Sequence, residues 1–180
     1  MATINSRATE GDLRNAPEDG QKHELVDGAI VVSPAGTRHG LVSVRLSSRL
    51  GPFVEAHDLG YVVDSSTGFR LPNGNVRLPD VAFVARGRFP DERVPEDFSD
   101  IPPDLAVEVL SPSDRPRFVL DKVGEYLQAG VRLVWVIDPR RRRAAVYRSA
   151  TEVREVLEDG VLDGEDVVRG FACPLADLLG

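Results

Sequence analysis

Two acidic residues lie beside or within apolar segments of the type that forms buried strands. Asp80 precedes the apolar residues 81–84, and Glu108 lies within the apolar segment 105–110. An ionised carboxylate is costly to bury unless a cation or hydrogen bonds compensate its charge. Two carboxylates brought together also supply the oxygen ligands that Mg²⁺ prefers, which predicts carboxylates about 4–6 Å apart. The pair therefore predicts a divalent-metal site with Asp80 and Glu108 as ligands.

A lysine in the next predicted element could complete such a site. Residues 116–129 predict a helix that ends at Gly130. Lys122 and Tyr126 are four residues apart, so they share one face of this helix. If the helix folds back over the sheet, Lys122 can add positive charge near a reacting phosphate. The alternative is a solvent-exposed lysine between acidic neighbours, and spacing alone leaves both interpretations open.

The elements that must position these residues follow from apolar periodicity and turn residues. Residues 24–32 predict a hairpin around Asp27-Gly28, a dipeptide typical of a type I′ turn, and Ser33-Pro34-Ala35-Gly36 ends it. Thr37 is the predicted cap of a helix that reaches Ala56. The apolar residues of that helix lie near one stripe, formed by Leu41, Val44, Leu46, Leu50, Phe53 and Val54.

Strands dominate the rest of the chain. Residues 60–63 and 68–71 predict a strand pair or one bent strand, Asn73-Gly74-Asn75 turns the chain towards Asp80, and residues 86–103 form a polar loop. Later elements are predicted as strands at 131–137, 144–147 and 152–157 and as a C-terminal segment at 171–179 that packs on the core. A mixed sheet with one helix before and one after the acidic strands indicates an α/β or α+β class.

Length and composition limit the classes of protein to which the chain can belong. A length of 180 residues and a hydrophobic content of 42% predict one globular domain at residues 21–180, preceded by a loosely ordered segment at residues 1–20. The sequence has no apolar run of about 18 residues and no apolar core near its start, so we expect no membrane span and a cytoplasmic location. Cys173 is the single cysteine, which excludes an intrachain disulfide and a zinc site built from several cysteines.

Charge is unevenly distributed along the chain. The net charge of −7 argues against a protein that coats nucleic acid, but it leaves a nuclease open because local fields matter more. The run from Arg140 to Arg143 fits either a solvated hairpin turn or a phosphate-contacting patch. Among the 22 basic residues only Lys22 and Lys122 are lysines, a bias that codon usage can explain.

A series of short motifs runs from residue 20 to residue 180. It consists of Glu24-Leu25-Val26-Asp27-Gly28, Ser33-Pro34, His39, Pro79-Asp80-Val81, Glu108-Val109-Leu110-Ser111-Pro112-Ser113, Lys122 with Tyr126, Gly130-Val131 and Trp135-Val136-Ile137-Asp138-Pro139. Pro-Asp alone is weak evidence, whereas the Glu108 motif, Lys122 and the Trp135 motif are specific as a series. Together they resemble the bacterial Uma-two family, described as "putative restriction endonucleases" within the PD-(D/E)XK nuclease superfamily.

The resemblance implies a restriction-endonuclease-like fold, in which a central mixed sheet is flanked by helices and accompanied by an N-terminal hairpin. It assigns the metal-ligand and catalytic roles to Asp80 and Glu108. The lysine of the superfamily's Glu-X-Lys pattern would fall at Leu110. Within the family that catalytic role passes to the following helix, which is Lys122 here.

Three further residues match family positions. Glu24 matches an acid that the superfamily often contributes from an early element, although a strand-start acid without catalytic duty is the alternative. His39 matches a position at the start of the first helix, where a capping or core histidine is the alternative. Tyr126 accompanies Lys122 on its helix face.

The implied function is an endonuclease that uses Mg²⁺ or Mn²⁺ to hydrolyse phosphodiester bonds in DNA. Carboxylates held close together repel, which predicts a raised pKa for at least one of them without metal. Cutting of two strands by two sites predicts a homodimer, with residues 86–103 and the C-terminal segment as interface candidates.

The alternative, favoured by Leu110 and the acidic net charge, is a nuclease-fold protein that binds nucleic acid or a protein partner without cutting. A glycosidase would also need two acids, but Trp135 lies in a segment that predicts a buried strand rather than a sugar-stacking cleft.

Overall fold

The computed structural model describes residues 7–33 and 36–180. Its helices are α1 (Glu10–Arg14), α2 (Thr37–Ala56), α3 (Pro116–Gln128) and α4 (Leu175–Leu179). Its strands are β1 (Lys22–Val26), β2 (Ala29–Ser33), β3 (Gly60–Asp64), β4 (Phe69–Arg70), β5 (Val76–Arg77), β6 (Val81–Ala85), β7 (Leu105–Val109), β8 (Leu133–Asp138), β9 (Arg143–Tyr147), β10 (Val153–Leu157), β11 (Val161–Asp163) and β12 (Ala172–Pro174). The long loop between β6 and β7 contains a 3₁₀ turn at Pro90–Glu92.

The central sheet is mixed, with strand order β10-β9-β8-β7-β6-β3. The strands β7 and β8 run parallel, and α3 connects them, while the other pairings are antiparallel. Side chains alternate between the two faces of β7, so Val107 packs with α2 whereas Ala106 packs with α3. Glu108 shares the parity of Ala106 and therefore faces α3. The predicted mixed central sheet flanked by helices is confirmed.

The helix α2 covers the face of the central sheet opposite to the one that α3 covers. Its buried residues are spaced four apart, at Val42, Leu46, Leu50 and Val54. This differs from the predicted stripe, since Leu41 and Val44 are exposed on the far side of the helix. The predicted cap is also wrong by one residue, because Gly36 takes the cap position and Thr37 begins the helix.

A second, smaller sheet with strand order β2-β1-β5-β4 carries the N-terminal hairpin. The hairpin prediction is confirmed: Asp27 and Gly28 have φ angles of 52° and 77°, the positive values that a type I′ turn requires. Leu25 pairs with Val76, which joins the hairpin to the segment leading into Asp80. For residues 60–63 and 68–71, both predicted alternatives, a strand pair and one bent strand, are wrong, because β3 belongs to the central sheet and β4 to this one.

The two ends of the described chain pack on the rest of the domain. Residues 7–20, for which the sequence predicts little order, include α1 with a capping box between Thr9 and Asp12. Residues 1–6, and Pro34 and Ala35 of the predicted hairpin end, lie outside the described residues. The C-terminal helix α4 buries its leucines in the main core, as predicted. In residues 7–33 and 36–180, no helix is long and apolar enough to cross a membrane.

Candidate metal and nucleic-acid site

Asp80 lies immediately before β6 rather than within it, at the point where β6 and β7 stop pairing. Its backbone N–H donates to the Val107 carbonyl at 2.9 Å. Its carboxylate oxygen Oδ2 accepts the Val109 N–H at 2.7 Å and lies 2.9 Å from Nε2 of His39. The other oxygen, Oδ1, lies 2.5 Å from Nζ of Lys22. Asp80 is thus held rigidly by β7, with one oxygen committed to the protein and one facing an ammonium group.

Glu108 lies on the α3 face of β7 and receives two side chains from that helix. Tyr126 Oη donates to Oε1 at 2.7 Å, and Lys122 Nζ lies 2.9 Å from both carboxylate oxygens. Nζ of Lys22 lies 3.8 Å from Oε2. One ammonium group therefore approaches both Asp80 and Glu108, so the two acids share a site as the sequence predicts.

Glu24 is buried between positive groups rather than presented to solvent. Its Oε1 accepts the Leu78 N–H at 2.7 Å and lies 3.0 Å from Nζ of Lys122. Its Oε2 accepts a hydrogen bond from Arg77 at 3.3 Å. Since both oxygens are committed, Glu24 serves to position Lys122 and balance its charge, which makes the carboxylate a poor candidate for direct metal contact.

The helix α3 is fixed over this site by further polar contacts. The Arg77 guanidinium donates to both oxygens of Glu125, each at 2.8 Å, and Asn75 donates to Glu125 at 3.1 Å. A two-pronged contact of this kind fixes orientation as well as distance. Lys122 and Tyr126, one helical turn apart, are therefore presented together to Glu108.

The surroundings shift the pKa values of Asp80 and Glu108 in opposite directions. Burial opposes ionisation of Asp80, but the His39 hydrogen bond and the charge of Lys22 outweigh it and hold the pKa of Asp80 well below its usual range. Burial raises the pKa of Glu108 by more than the neighbouring lysines lower it, with Asp80 and Glu24 adding repulsion. The predicted raised pKa is thus found at Glu108, although burial contributes more to it than the predicted repulsion.

The cations and the phenol respond to the same surroundings. Burial works against the charge of Lys122, but Glu108 and Glu24 raise its pKa above the usual value, so the ammonium stays protonated. Burial, with the charge of Glu108 as the next cause, raises the pKa of Tyr126, which therefore remains a hydrogen-bond donor.

Asp80, Glu108, Glu24 and the two lysines line an open cleft of about 910 Å³. The hairpin forms one wall, and the loop after β7 together with α3 forms the other. Arg115 and Phe118 stand at its rim. A cleft of this size, with cations and carboxylates on its floor and an arginine at its edge, can admit an extended anionic chain such as a nucleic-acid strand.

The arginine run lies elsewhere, on the turn between β8 and β9. Arg142 pairs with Glu158, and Arg143 pairs with Glu155 at 2.5 Å. Arg141 lies 3.3 Å from Asp138 in the same turn. These pairs favour the hairpin-turn interpretation over the phosphate patch.

All six residues singled out from the sequence meet at this site, and the structure adds two more. Lys22 and Arg77 were missed, because a strand-end lysine and a buried arginine carry no motif by themselves. A signal for Lys22 was nevertheless present: the chain uses arginine at nearly every basic position, and both of its lysines contact Glu108. Lys22 and Glu24 also share strand parity, so they face the same way.

A hard divalent cation requires oxygen ligands, which carboxylates supply. Residues 7–33 and 36–180 contain no cluster of three or more histidine, cysteine or acidic side chains arranged to hold a metal. Mg²⁺, however, commonly binds proteins through one or two carboxylates, keeping waters and substrate phosphates as its other ligands. Asp80 and Glu108 match that smaller requirement in chemistry and proximity, so the residues fit a Mg²⁺ or Mn²⁺ ion that the substrate helps to hold.

Comparisons with known proteins give a family match and a shared fold. A family model described as "Uma2: Putative restriction endonuclease" matches residues 11–176. A similar solved structure is described as a "putative nuclease belonging to DUF820 from Anabaena variabilis ATCC 29413"; it has a TM-score of 0.81 and 20% identity, over 95% of this chain and 97% of that chain. At this identity the similarity shows a shared fold. None of the curated proteins matches the chain.

Proposed function

We propose that this chain, which belongs to the Uma2 family of "putative restriction endonucleases", is a metal-dependent endonuclease that hydrolyses phosphodiester bonds in DNA. The observation that carries the proposal is the convergence of Asp80 and Glu108 with both lysines on the floor of an open cleft. Hydrolysis of a phosphodiester requires an activated water and positive charge around the phosphoryl oxygens in the transition state. Carboxylates that can hold a divalent ion, together with fixed ammonium groups, meet both requirements.

Asp80 and Glu108 are the residues that would hold Mg²⁺ or Mn²⁺. When bound, such an ion polarises a phosphoryl oxygen and lowers the pKa of its water. Asp80 is suited to this duty because His39 and the Val109 amide fix its Oδ2, which orients Oδ1 towards the cleft. Glu108 is oriented in the same way by Tyr126. Preorganised ligands need no rearrangement of the backbone when substrate arrives.

Lys122 supplies fixed positive charge at the same place. Its ammonium is anchored by Glu24 and Glu108 at about hydrogen-bond distance, and its raised pKa keeps it charged at neutral pH. A cation that is already oriented in a partly buried site stabilises developing negative charge on a phosphate. Lys122 thereby takes the function of the lysine that the superfamily pattern would place at Leu110, although it reaches the site from a helix.

A second candidate function is nucleic-acid binding without cleavage. It is favoured by Leu110, a partly buried residue that packs with the α3 core where the superfamily places a lysine. The pairing of every site carboxylate with a protein cation also favours it, since those cations compete with a metal.

A plasmid-nicking assay with Mg²⁺ or Mn²⁺ tests the proposed function. We expect nicked and linear products with the wild type, and none with Asp80→Asn, which removes a ligand charge at nearly constant shape. Glu155→Gln, an exposed acid on β10 paired with Arg143, serves as the matched control and should cut normally. If the wild type binds the plasmid and retards it in the gel but produces no nicked product, the result would contradict cleavage and support the second candidate.

A homodimer follows from the same proposal, because cutting both strands of a duplex requires two sites. The C-terminal helix is less suited to the interface than the sequence suggested, since Leu175 and Leu178 are fully buried within their own domain. The exposed loop at residues 86–103 remains the better candidate. Light scattering of the free protein and of its DNA complex checks this; a monomer in both conditions would contradict it.

A further inference from the structure

The ammonium of Lys22 lies where a cation shared by Asp80 and Glu108 would lie. Nζ is 2.5 Å from Asp80 Oδ1 and 3.8 Å from Glu108 Oε2. A Mg²⁺ ion bound by both acids would lie about 2.1 Å from each ligand oxygen. The ammonium already contacts Asp80 Oδ1 and lies near Glu108 Oε2, so the lysine and such an ion would compete for the same oxygens.

The hydrogen-bond pattern of Asp80 points to the same competition. Oδ2 already accepts from the Val109 amide and contacts His39, so Oδ1 is the oxygen that remains for a metal. Oδ1 is also the oxygen to which Lys22 donates. The lysine therefore contacts the one part of Asp80 that a metal would use.

The two lysines differ in how firmly they are held. Lys122 contacts two buried acids from the middle of a helix, at 3.0 Å from Glu24 and 2.9 Å from Glu108. Lys22 is the first residue of β1, it borders the cleft, and its contact with Glu108 is the longer one at 3.8 Å. Its long and flexible stem can retract into the cleft without moving the strand.

We propose that Lys22 occupies the metal position as an internal cation and leaves it when Mg²⁺ or Mn²⁺ binds, whereas Lys122 stays in place. The inference rests on the proposed function, since it takes Asp80 and Glu108 as the metal ligands. The single positive charge of Lys22 offsets part of the negative charge of Asp80 and Glu108 while metal is absent, which helps to keep the folded site stable. Once displaced into the cleft, the same ammonium lies beside the path of the substrate and can contact a phosphate.

Nuclear magnetic resonance of the lysine side chains tests this directly, because the chain contains two lysines and so gives two signals after labelling with ¹³Cε,¹⁵Nζ-lysine. Lys22→Met assigns the spectrum, and Lys22→Arg does so as well if the methionine variant fails to fold. On titration with Mg²⁺ we expect the Lys22 signal to move towards the position of an exposed lysine while the Lys122 signal moves little. A Lys22 signal that stays in place while metal binds would overturn the inference.

Calorimetry with Mn²⁺ gives an independent measure that does not depend on DNA cleavage. Removing a competing unit charge at contact distance in Lys22→Met should tighten Mn²⁺ binding by about tenfold or more. Lys22→Arg keeps a cation at the position and should bind Mn²⁺ much as the wild type does. Equal affinity in Lys22→Met and wild type overturns the inference but leaves the proposed function standing. Absence of Mn²⁺ binding in all three proteins removes the metal role itself, and with it both proposals.

Discussion

The acidic residues of this protein form ion pairs of two kinds, in two regions of the molecule. In the site, the acids Asp80, Glu108 and Glu24 are buried. They form ion pairs with the two lysines, and Glu24 also pairs with Arg77. On the C-terminal sheet edge, Arg142 and Arg143 pair with Glu158 and Glu155, and all four side chains are more than a third exposed. We call this second region the arginine edge.

The difference between the two regions shows why only one is a candidate for chemistry. Exposed pairs are screened by water and contribute little to stability, so they can be rearranged or lost. Buried charges in contact are costly to assemble and costly to break, because removing one partner leaves the other without compensation. Because water screens charges less at the floor of the cleft than on the surface, a substrate or metal there interacts more strongly with these groups.

The largest expected effect is on stability. Lys122→Met should lower the free energy of unfolding by about 3–5 kcal/mol, because Glu108 and Glu24 lose their shared cation. Arg143→Ala, at the arginine edge, should change it by about 0–1 kcal/mol. Urea denaturation of both variants measures the contrast. Equal effects would show that burial does not distinguish the two regions.

Cleavage should respond next. Lys122→Ala, assayed at a temperature where circular dichroism shows it folded, should cut plasmid about 10²–10³-fold more slowly than the wild type, the scale expected when one preorganised electrostatic group is lost. Metal binding should survive, since Asp80 and Glu108 remain. Arg143→Ala is the control and should cut at the wild-type rate. A slow Arg143→Ala would indicate that the arginine edge contacts DNA.

The stabilisation of the protein by metal should depend on the buried site and not on the arginine edge. A ligand that binds the native state alone raises its stability, so millimolar Mg²⁺ or Mn²⁺ should raise the melting temperature by about 2–6 °C in a domain of this size. Asp80→Ala should abolish the shift, and Glu158→Gln should leave it intact. A melting curve that metal does not change would argue against the site.

The smallest effect concerns pH at a partly exposed pair near the N-terminus. The hydrogen bonds from Arg70 and Arg14 lower the pKa of Glu10 to about 2 from 4.5. Because the folded pKa is the lower one, Glu10 contributes its stability above about pH 4.5 and loses it as the pH falls towards 2. Glu10→Gln should therefore cost well under about 1 kcal/mol at pH 7, and the difference from wild type should vanish near pH 2. Thermal melts of both proteins across this range measure it; a difference that persists at pH 2 would show that packing, not charge, explains the contact.

Much of the fold could be predicted from the sequence, because it depends on local signals. Asp27-Gly28 indicates a type I′ turn since few other pairs accept two positive φ angles, and the hairpin is where the dipeptide predicts it. Apolar runs at 81–84 and 105–109 indicate buried strands, and the four-residue spacing of Lys122 and Tyr126 places them on one helix face. Errors arose where the pattern admits two answers, as for the pairing partner of residues 68–71.

The arrangement of the site was decided by the tertiary structure. Lys22 is 58 residues from Asp80 in the chain, and it reaches that acid because β1 pairs with β5, a contact that local periodicity does not encode. Glu24 passes from candidate catalytic acid to charge partner because Arg77 and Lys122 converge on it. Sequence by itself determined which residues are able to do chemistry, since that depends on side-chain type and local spacing. Which ammonium lies between which carboxylates depends on long-range strand pairing and burial, and only the folded chain establishes those.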